Sequence, residues 1–343
     1  MKKVKISFVG VGFFSQISHI INYYKNPRVE LFEICDLDTK LAEGVKKKFG
    51  FTGKIYSDYK KMNLKDTDGF VIIVQRRLTG NIANFFLQNK CNIFTEKPHT
   101  YSSKEYINNK KFQKGVWIKG YVRRTDKAII HFYKNFENLT KNLGRINFIN
   151  FTAKNGNSYL GSKHYVKPTI KKKLKSQKSL FPKFLKKKYY NLFDVYNNSA
   201  CHALDLFDFF GFSKFERIHS DISNENFFVK LNCNFKKSSI PAAIHLSSSK
   251  VDGWYEKMEF LFEKGQVIID FKAPLDKSSS HEVKIIQHKK IRKTIKFKKF
   301  WCFNEQSKHF AEEIAKENKK SHKNSKDGIN SILLYEKIWK SII

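Results

Sequence analysis

The sequence predicts an α/β fold, with a doubly wound parallel sheet at the N-terminus followed by an α+β domain with a large, open, mostly antiparallel sheet. Three observations support this prediction. Apolar strands alternate with helices over residues 4–121, a glycine-rich turn joins the first strand to the first helix, and short strand-like segments follow one another after Gly144. Alternation of this kind is typical of a parallel sheet, whereas the later segments fit an antiparallel one.

The first strand and turn carry a nucleotide-binding fingerprint. Val4–Val9 is a buried-strand pattern that runs into Gly10-Val11-Gly12-Phe13-Phe14-Ser15, a G-x-G-x-x-G pattern with serine third. Gly10 permits the tight turn, Gly12 lets the backbone approach a pyrophosphate at the helix N-terminus, and Ser15 is small enough to keep the helix against the strand. We therefore expect a Rossmann domain whose cofactor contacts include Gly10, Gly12, Phe13, Phe14 and Ser15.

The second strand, Val29–Cys35, ends at Asp36, which lies 24 residues after Gly12. This is close to the spacing of roughly 20 residues expected for the acid that binds the ribose hydroxyls. A carboxylate repels a 2′-phosphate, so Asp36 predicts NAD in preference to NADP. The alternative is a glycine turn in another α/β protein, with Asp36 capping a helix.

A third strand, Gly69–Val74, precedes a helix predicted over Gly80–Gln88, and the apolar run Cys91–Thr95 then leads into Glu96-Lys97-Pro98. Pro98 biases Lys97 toward an extended backbone at the C-terminal edge of a strand, where open α/β sheets bind ligands. We expect Lys97 to be catalytic and to touch the cofactor. Val74 and Glu96 are further predicted cofactor contacts, and an ordinary exposed lysine is the alternative for Lys97.

A polar helix and a strand over Val116–Tyr121 follow, with Arg123-Arg124 at the strand's exit. We expect the dinucleotide-binding domain to span 1–124 and a substrate-binding and oligomerisation domain to span 125–343. Tyr121 and Arg124 are candidate substrate contacts, although both could cap the strand end or pair at an interface. Arg76 and Arg77 could meet an anion, but we expect them in an exposed loop.

Composition fits a two-domain protein with a packed core, since 343 residues include 33 Phe and 15 Tyr. The five cysteines lack a C-x-x-C pair, which predicts a reducing compartment and no metal site. No signal-peptide cleavage site or membrane-length apolar run is evident, so we expect a cytoplasmic protein without membrane partners.

Sixty-six basic against 31 acidic residues give a formal charge of +35. Most of the excess is lysine, as in proteins from AT-rich genomes, and it concentrates in Lys163–Tyr190 and His288–Phe300. We expect both stretches to be loops or an insert, the first within a basic insert at about 160–192. A solvated insert is favoured over a flap above an anionic substrate. Nucleic-acid binding is disfavoured because no recognised motif accompanies the charge.

Seven segments after Gly144 have strand-like patterns. They are Ile146–Ala153, Glu216–Asp221, Asn226–Asn234, Ala242–Ser247, Lys257–Glu263, Gln266–Phe271 and Glu282–Gln287. A sheet of this size needs one face covered, and subunit pairing is one way to cover it.

Several motifs in order resemble the Gfo/Idh/MocA oxidoreductases over nearly the whole chain. They are Gly10-Val11-Gly12, Asp36, Glu96-Lys97-Pro98, Gly120–Arg124, Leu143-Gly144-Arg145, Cys201–Asp205 opening a helix, and Asp327-Gly328-Ile329. The resemblance implies an N-terminal Rossmann domain, a substrate domain that commonly mediates homodimer or homotetramer contacts, and a C-terminal helix that returns toward the first domain. The turn Val74–Thr79 departs from the family pattern, so the nicotinamide ribose contacts are expected to differ.

The resemblance also implies acid–base roles for Lys97 and His202. The alternative for His202 is a merely structural role in its helix. Asn198 lies four residues before His202 on the same helical face, at a position where the family has an acid. An amide can orient a substrate hydroxyl but cannot take its proton. We expect an NAD-dependent oxidoreductase acting on a secondary alcohol or ketone of a sugar, cyclitol or nucleotide-sugar, in surface polysaccharide synthesis. The alternative is a redox-silent dinucleotide-binding sensor or assembly protein.

Overall fold

The described residues form two sheets, one of six strands and one of eight. The computed structural model describes residues 3–155, 164–170, 181–248, 253–288, 290–316 and 328–342. These residues form two compact units. The first runs to Tyr121 and includes the described parts of 161–181 and 303–327, and the second contains the remainder.

The six-stranded sheet lies in the first unit and is parallel throughout, in the order β3-β2-β1-β4-β5-β6. Its strands are β1 Val4–Val9, β2 Val29–Cys35, β3 Ile55–Tyr56, β4 Gly69–Ile72, β5 Ile93–Thr95 and β6 Trp117–Lys119. The strand order reverses between β1 and β4, and doubly wound sheets bind ligands at such a point. The predicted Rossmann sheet is confirmed.

The helices of this sheet begin with a π-helical turn, Ser15–Ile20, that continues as α1, Ile21–Tyr24. They continue with α2 Thr39–Phe49, α3 Arg76–Gln88 and α4 Ser103–Lys111. The predicted start of α3 at Gly80 was wrong. Gln75 has a non-helical backbone and occupies the N-cap position, so Arg76 and Arg77 form the first helical turn and not a loop.

Aromatic side chains build the core of the first unit around β1. Phe8 contacts Tyr23 and Phe51 edge-on, at ring-centroid distances of 5.5 and 5.9 Å. Phe94 on β5 meets Phe310, which lies near the C-terminal end of the chain. All five rings are at least nine-tenths buried, so the strands that carry the nucleotide turn rest on a rigid base.

The second unit holds the eight-stranded sheet, in the order β14-β13-β12-β11-β7-β10-β9-β8. Its strands are β7 Ile146–Asn155, β8 Ser213–Ile222, β9 Asn226–Phe235, β10 Ser238–Ser248, β11 Trp254–Phe262, β12 Gly265–Asp270, β13 Glu282–Gln287 and β14 Lys290–Ile295. Only the β7–β10 pairing within the described sheet is parallel. All seven predicted strands are present, and the mostly antiparallel sheet is confirmed.

Strand β14 contradicts the prediction that His288–Phe300 is a loop or insert. Its sequence, KIRKTI, pairs with β13 on one side only, and every side chain before Ile295 is exposed. Lysine and arginine are common on edge strands because charge opposes pairing with another chain. The charge that suggested a loop is therefore compatible with a strand at this edge.

Three α-helices complete the described part of the second unit: α5 Lys127–Leu143, α6 Tyr190–Phe209 and α8 Ile329–Lys340. Phe132 and Phe136 of α5 contact Phe260 of β11, so the helices cover one face of the sheet. The opposite face carries exposed aromatic and aliphatic side chains such as Phe228 and Tyr255.

The expectation that Cys201–Asp205 opens a helix was wrong. Helix α6 begins at Tyr190, so this run lies in its middle. Phe193, Tyr196, Ala200 and Leu204 recur at intervals of three or four residues and are buried, which extends the apolar stripe toward the N-terminus.

One further helix, α7 (Cys302–Ala315), precedes α8 in the chain and supplies Phe310 to the core of the first unit. Much of the predicted basic insert at 160–192 lies outside the described residues, which include only 164–170 and 181–192 of it. Among the described helices, none is long and apolar enough to cross a membrane.

Candidate active site

A cavity of about 340 Å³ opens at the C-terminal ends of β1, β2 and β4 in the first unit. Four predicted cofactor residues line it: Gly10, Gly12, Asp36 and Val74. The remaining lining is mostly apolar, as is usual for cofactor sites. It comprises Val9, Cys35, Leu37, Asp38, Leu41, Ser57, Tyr59, Ile73, Gln75, Leu78, Ile82, Pro168 and Ile170.

The glycine turn connects β1 to the edge of this cavity. Gly10 has φ +84° and donates its N–H to the carbonyl of Cys35 at 2.8 Å. A Cβ at Gly10 would lie 2.1 Å from the carbonyl oxygen of Ile73, so the turn requires glycine there. A Cβ at Gly12 would meet nothing within 4 Å. The open space at Gly12, next to the first helical turn, fits the pyrophosphate of a dinucleotide.

Asp36 is held by the same turn. Its Oδ2 accepts the N–H of Val11 at 2.9 Å, and its Oδ1 accepts the N–H of Asp38 at 3.0 Å. An ionised carboxylate has about four acceptor positions, so these two bonds orient it and leave capacity for the two ribose hydroxyls. The arrangement fits an adenosine ribose next to the pyrophosphate position.

The other predicted residues of the fingerprint do not line the cavity. Phe13 contacts Tyr165 edge-on at 4.6 Å, and Phe14 contacts His19 and Phe303, each at 5.7 Å. Ser15 is 1% exposed. The structure therefore shows these residues packing the first helix, and their contact with cofactor stays a prediction.

The Glu96-Lys97-Pro98 segment follows β5 and contains a cis peptide bond between Lys97 and Pro98. Glu96 is 8% exposed; its Oε1 lies 2.9 Å from Nε2 of His19, and its Oε2 accepts the N–H of Lys97 at 3.1 Å. Gly120 lies against Glu96, since a Cβ there would come within 3.0 Å of Oε1. Glu96 thus fixes the backbone of Lys97, whose side chain is half-buried.

Sequence reasoning missed His19. It is a buried polar residue in the π-helical turn, and its partner lies 77 positions away in the chain. A histidine among apolar positions of the first helix was the available signal, but nothing in the local pattern identified Glu96 as its partner. The predicted contact between Glu96 and cofactor stays a prediction beside this observed positioning role.

The remaining candidates are divided between the units. Tyr121, in the first, is buried, and its ring meets His99 at 5.7 Å. In the second, Asn198 and His202 lie four residues apart on α6, the former exposed and the latter half-buried. The structure thus supports the shared helical face predicted for this pair. Substrate contact by Tyr121 and Asn198, and proton transfer by His202 with Lys97, stay predictions.

Arg124 makes a two-pronged ion pair within the second unit. Its Nε donates to Asp205 Oδ2 at 2.8 Å, one terminal nitrogen donates to Asp205 Oδ1 at 2.5 Å, and the same nitrogen reaches Asp208 at 3.2 Å. This fork anchors the segment before α5 to α6. The geometry shows a structural role, and substrate binding by Arg124 stays a prediction.

A second buried polar cluster lies in the same unit and was not predicted. Asp126 Oδ1 caps α5 through Ala128, while its Oδ2 accepts the N–H of His281 at 3.0 Å and the thiol of Cys302 at 3.3 Å. Candidate ligand atoms of Asp126, His281 and Cys302 lie within 4.8 Å of one another. Nδ1 of His281 accepts the N–H of Lys272 at 3.1 Å. These bonds join three distant chain segments.

Comparison with known proteins supports the resemblance predicted from the sequence. Residues 4–114 match the model of the Gfo/Idh/MocA oxidoreductases, described as an oxidoreductase family with an NAD-binding Rossmann fold. The resemblance predicted from the motifs is confirmed for this nucleotide-binding part of the chain. The matched span includes the glycine turn, Asp36 and Lys97, and the protein is an NAD(P)-dependent oxidoreductase. A comparison with curated proteins finds no match.

Solved structures share the fold of this protein over nearly its whole length. A 3-ketoreductase from Actinomadura kijaniata, in complex with NADP and TDP-benzene, has a TM-score of 0.73 at 10% identity and covers 99% of this chain and 98% of its own. Scyllo-inositol dehydrogenase from Lactobacillus casei, with bound NAD(H) and scyllo-inositol, has a TM-score of 0.69 at 14% identity, with 99% and 97% coverage. At these sequence identities the comparison shows a shared fold and no more.

Proposed function

We propose that this protein transfers a hydride between NAD and a secondary alcohol or ketone of a sugar, cyclitol or nucleotide-sugar. The observation that carries the proposal is the continuous site formed by Gly10, Gly12 and Asp36 around the cavity, with Lys97 at the C-terminal end of a nearby strand. These are the positions at which a doubly wound sheet binds dinucleotide and presents a reacting group.

In this reaction the carbinol carbon loses a hydride and its hydroxyl loses a proton, so the alcohol is oxidised by two electrons. When bound, the nicotinamide supplies the hydride acceptor, or the donor in the reverse direction. Lys97 is proposed to hold the hydroxyl and exchange its proton, with its backbone fixed by Glu96. His202 is the second proposed proton carrier, and Asn198 the residue that orients a neighbouring hydroxyl.

NAD is proposed in preference to NADP because two acids line the cavity: Asp36, the proposed partner of the ribose hydroxyls, and Asp38. Their negative charges disfavour a phosphate dianion. Of the similar structures, one binds NADP and another NAD(H), so the preference rests on the residues of this chain.

The substrate class is supported by the ligands of the same two structures, a TDP derivative and an inositol. The basic composition favours a phosphorylated or nucleotide-linked sugar, such as one used in surface polysaccharide synthesis, in the cytoplasm. We also propose a homodimer or homotetramer that covers the open face of the eight-stranded sheet, where Phe228, Tyr255 and Leu261 are each at least 40% exposed. Sedimentation equilibrium would measure the assembly.

The test is to purify the protein and add nucleotide-sugars, free sugars and cyclitols with NAD while following absorbance of the reduced nicotinamide. One substrate class should reduce NAD, and Lys97→Ala and His202→Ala should each lower kcat by about 100-fold or more, since general acid–base groups contribute on that scale. Lys104→Ala is the matched control, because Lys104 is an exposed lysine on α4.

Binding of NADH without turnover of any substrate class would contradict hydride transfer and favour a redox-silent dinucleotide-binding protein. Asn198→Asp separates two explanations of weak turnover. A gain in kcat would show that the missing acid limits proton transfer, whereas an unchanged kcat would leave orientation as the role of Asn198.

A further inference from the structure

A short described segment, residues 164–170, forms one wall of the nucleotide cavity; we call it the strap. Pro168 and Ile170 of the strap line the cavity together with Leu37 from the loop after β2. Ile170 and Leu37 are 42% and 58% exposed, so two large apolar side chains stand open at the cavity. A flat apolar ligand group would cover them.

Asp38 holds one end of the strap. Its Oδ2 accepts the N–H groups of Thr169 at 2.6 Å and Ile170 at 2.9 Å, and its Oδ1 accepts the hydroxyl of Thr169 at 2.6 Å. The same Oδ1 caps α2 through the N–H of Leu41 at 3.0 Å. Asp38 is 5% exposed, so three charge-assisted bonds attach the strap to a well-covered carboxylate.

Gln16 holds the other end. Its amide nitrogen donates to the carbonyl of Val11 in the glycine turn and to the carbonyl of Val166, each at 3.0 Å, and its Oε1 accepts the N–H of Val166 at 2.8 Å. Gln16 is 2% exposed. The side chain of Val166 lies over Gly44 of α2, where a Cβ would come within 2.7 Å of it.

The strap is thus anchored at the two places proposed to bind dinucleotide: the glycine turn, through Gln16, and the loop after β2 that carries Asp36, through Asp38. We propose that the strap is part of the dinucleotide site and covers the adenosine half of bound NAD. The hydrogen bonds from Thr169 and Ile170 to Asp38, which we call the latch, would then slow the release of cofactor. The inference rests on the proposed function in one respect, namely that NAD is the ligand of the cavity.

The latch stays charged at working pH. Desolvation opposes ionisation, but hydrogen bonds from Thr169, Leu41 and Ile170 outweigh it and lower the pKa of Asp38 to about 2. The carboxylate therefore accepts the strap's N–H groups at every pH above about 4, and this attachment should not change between pH 5 and 9.

Asp38→Asn removes the strap's hydrogen-bond acceptor and keeps the cap of α2. Asparagine is as good an N-cap as aspartate, so its oxygen still caps α2. Its NH₂ group cannot accept the N–H groups of Thr169 and Ile170 and would face two donors. Gly44→Ala is an independent variant outside the cavity: it displaces Val166 but places a better helix former in α2. Glu43→Gln, at an exposed position of the same helix, is the control.

The experiment loads full-length protein with NADH, mixes it with excess ADP-ribose in a stopped-flow instrument, and follows the loss of NADH fluorescence. Asp38→Asn and Gly44→Ala should release NADH at least about tenfold faster than wild type, whereas Glu43→Gln should match wild type. Circular dichroism would confirm that each variant is folded.

If both folded variants release NADH at the wild-type rate, the proposed role of the strap is overturned and the proposed function is unaffected. Faster release from both variants supports the proposed role of the strap, with an unchanged kcat for the chemical step expected in Gly44→Ala, which lies outside the cavity lining. Absence of NADH binding to the wild-type protein overturns both proposals, and NADH binding without turnover overturns hydride transfer alone.

Discussion

Two glycines of the nucleotide turn have opposite steric surroundings at the scale of single residues. A Cβ at Gly10 would collide with the backbone of Ile73, and its φ of +84° disfavours any other residue. A Cβ at Gly12 would enter the open cavity and touch no protein atom within 4 Å. One glycine is thus needed to build the turn, and the other to leave space for a ligand.

This difference predicts separable effects of two substitutions. Gly10→Ala should lower the free energy of unfolding by roughly 2 kcal/mol or more, because it combines a backbone clash with an unfavourable φ. Gly12→Ala should leave stability within about 0.5 kcal/mol of wild type but weaken NADH binding tenfold or more. Urea unfolding and fluorescence titration would measure the two effects. Equal loss of stability in both variants would contradict the assignment.

At the scale of elements, α3 and α4 meet through an unusual contact. Gly80 of α3 lies against the carboxyl group of Glu105, because a Cβ there would come within 2.0 Å of Oε1. Glu105 Oε2 accepts the N–H of Tyr101 at 2.7 Å, and Asn109 donates to the carbonyl of Gly80 at 2.8 Å. Burial, opposed by the bond from Tyr101, raises the pKa of Glu105 to about 7. The contact between the two helices therefore includes a carboxyl group that stays protonated at pH values below about 7.

The raised pKa gives this contact a pH dependence. Between about pH 4.5 and 7, Glu105 keeps a proton in the folded state that it loses in the unfolded chain. The contribution of this carboxyl group to the free energy of unfolding is therefore complete below pH 4.5 and is lost as pH rises through 7. Glu105→Gln should remove this pH-dependent loss of unfolding free energy, which is of order 2 kcal/mol between pH 5 and 8. Urea unfolding across this range would test it, with Glu43→Gln as an exposed-carboxylate control. An unchanged slope in the Glu105 variant would show that the carboxyl group is ionised when folded.

At the scale of the whole molecule, each unit contains a buried titratable group, and the two groups change stability with pH in opposite directions. Glu105 of the first unit loses its stabilising contribution as pH rises, and His281 of the second loses its contribution as pH falls. In the second unit, burial is the main cause that lowers the pKa of His281 to about 4, with Asp126 opposing the shift and Arg123 and Lys272 adding to it. The folded state holds this ring neutral while the unfolded chain protonates it near pH 6.5. Its contribution to stability is therefore lost as pH falls from about 6.5 to 4.

His281→Asn should flatten the acid side of the unfolding profile, because asparagine keeps a hydrogen-bond acceptor for the N–H of Lys272 and cannot be protonated. We expect the variant to be less stable than wild type at pH 7 and to lose less stability between pH 7 and 5. Hydrogen exchange, corrected for the intrinsic effect of pH, would localise the change to peptides of the second unit. His131→Asn, at a half-buried histidine on α5, is the control. A parallel profile for wild type and the His281 variant would contradict the prediction.

Local pattern was sufficient for much of the fold and of the nucleotide turn. The strand Val4–Val9, the glycine turn and the acid at Asp36 are short-range signals, because the conformation of each follows from a few neighbouring residues. Alternating apolar residues likewise identified seven strands of the second sheet. The strand β14 was missed because an edge strand can be charged on both faces, so its sequence lacks the alternation that a half-buried strand shows.

The sequence by itself determined the fold class, the dinucleotide fingerprint and the candidate lysine, since these depend on spacing along the chain. Only the tertiary structure decided which distant groups meet: Glu96 with His19, Arg124 with Asp205, and the strap with Asp38, 131 residues away. A carboxylate can accept hydrogen bonds from any donor that folding brings near it. Its partner therefore leaves no periodic signal in the sequence and becomes visible only when the chain has folded.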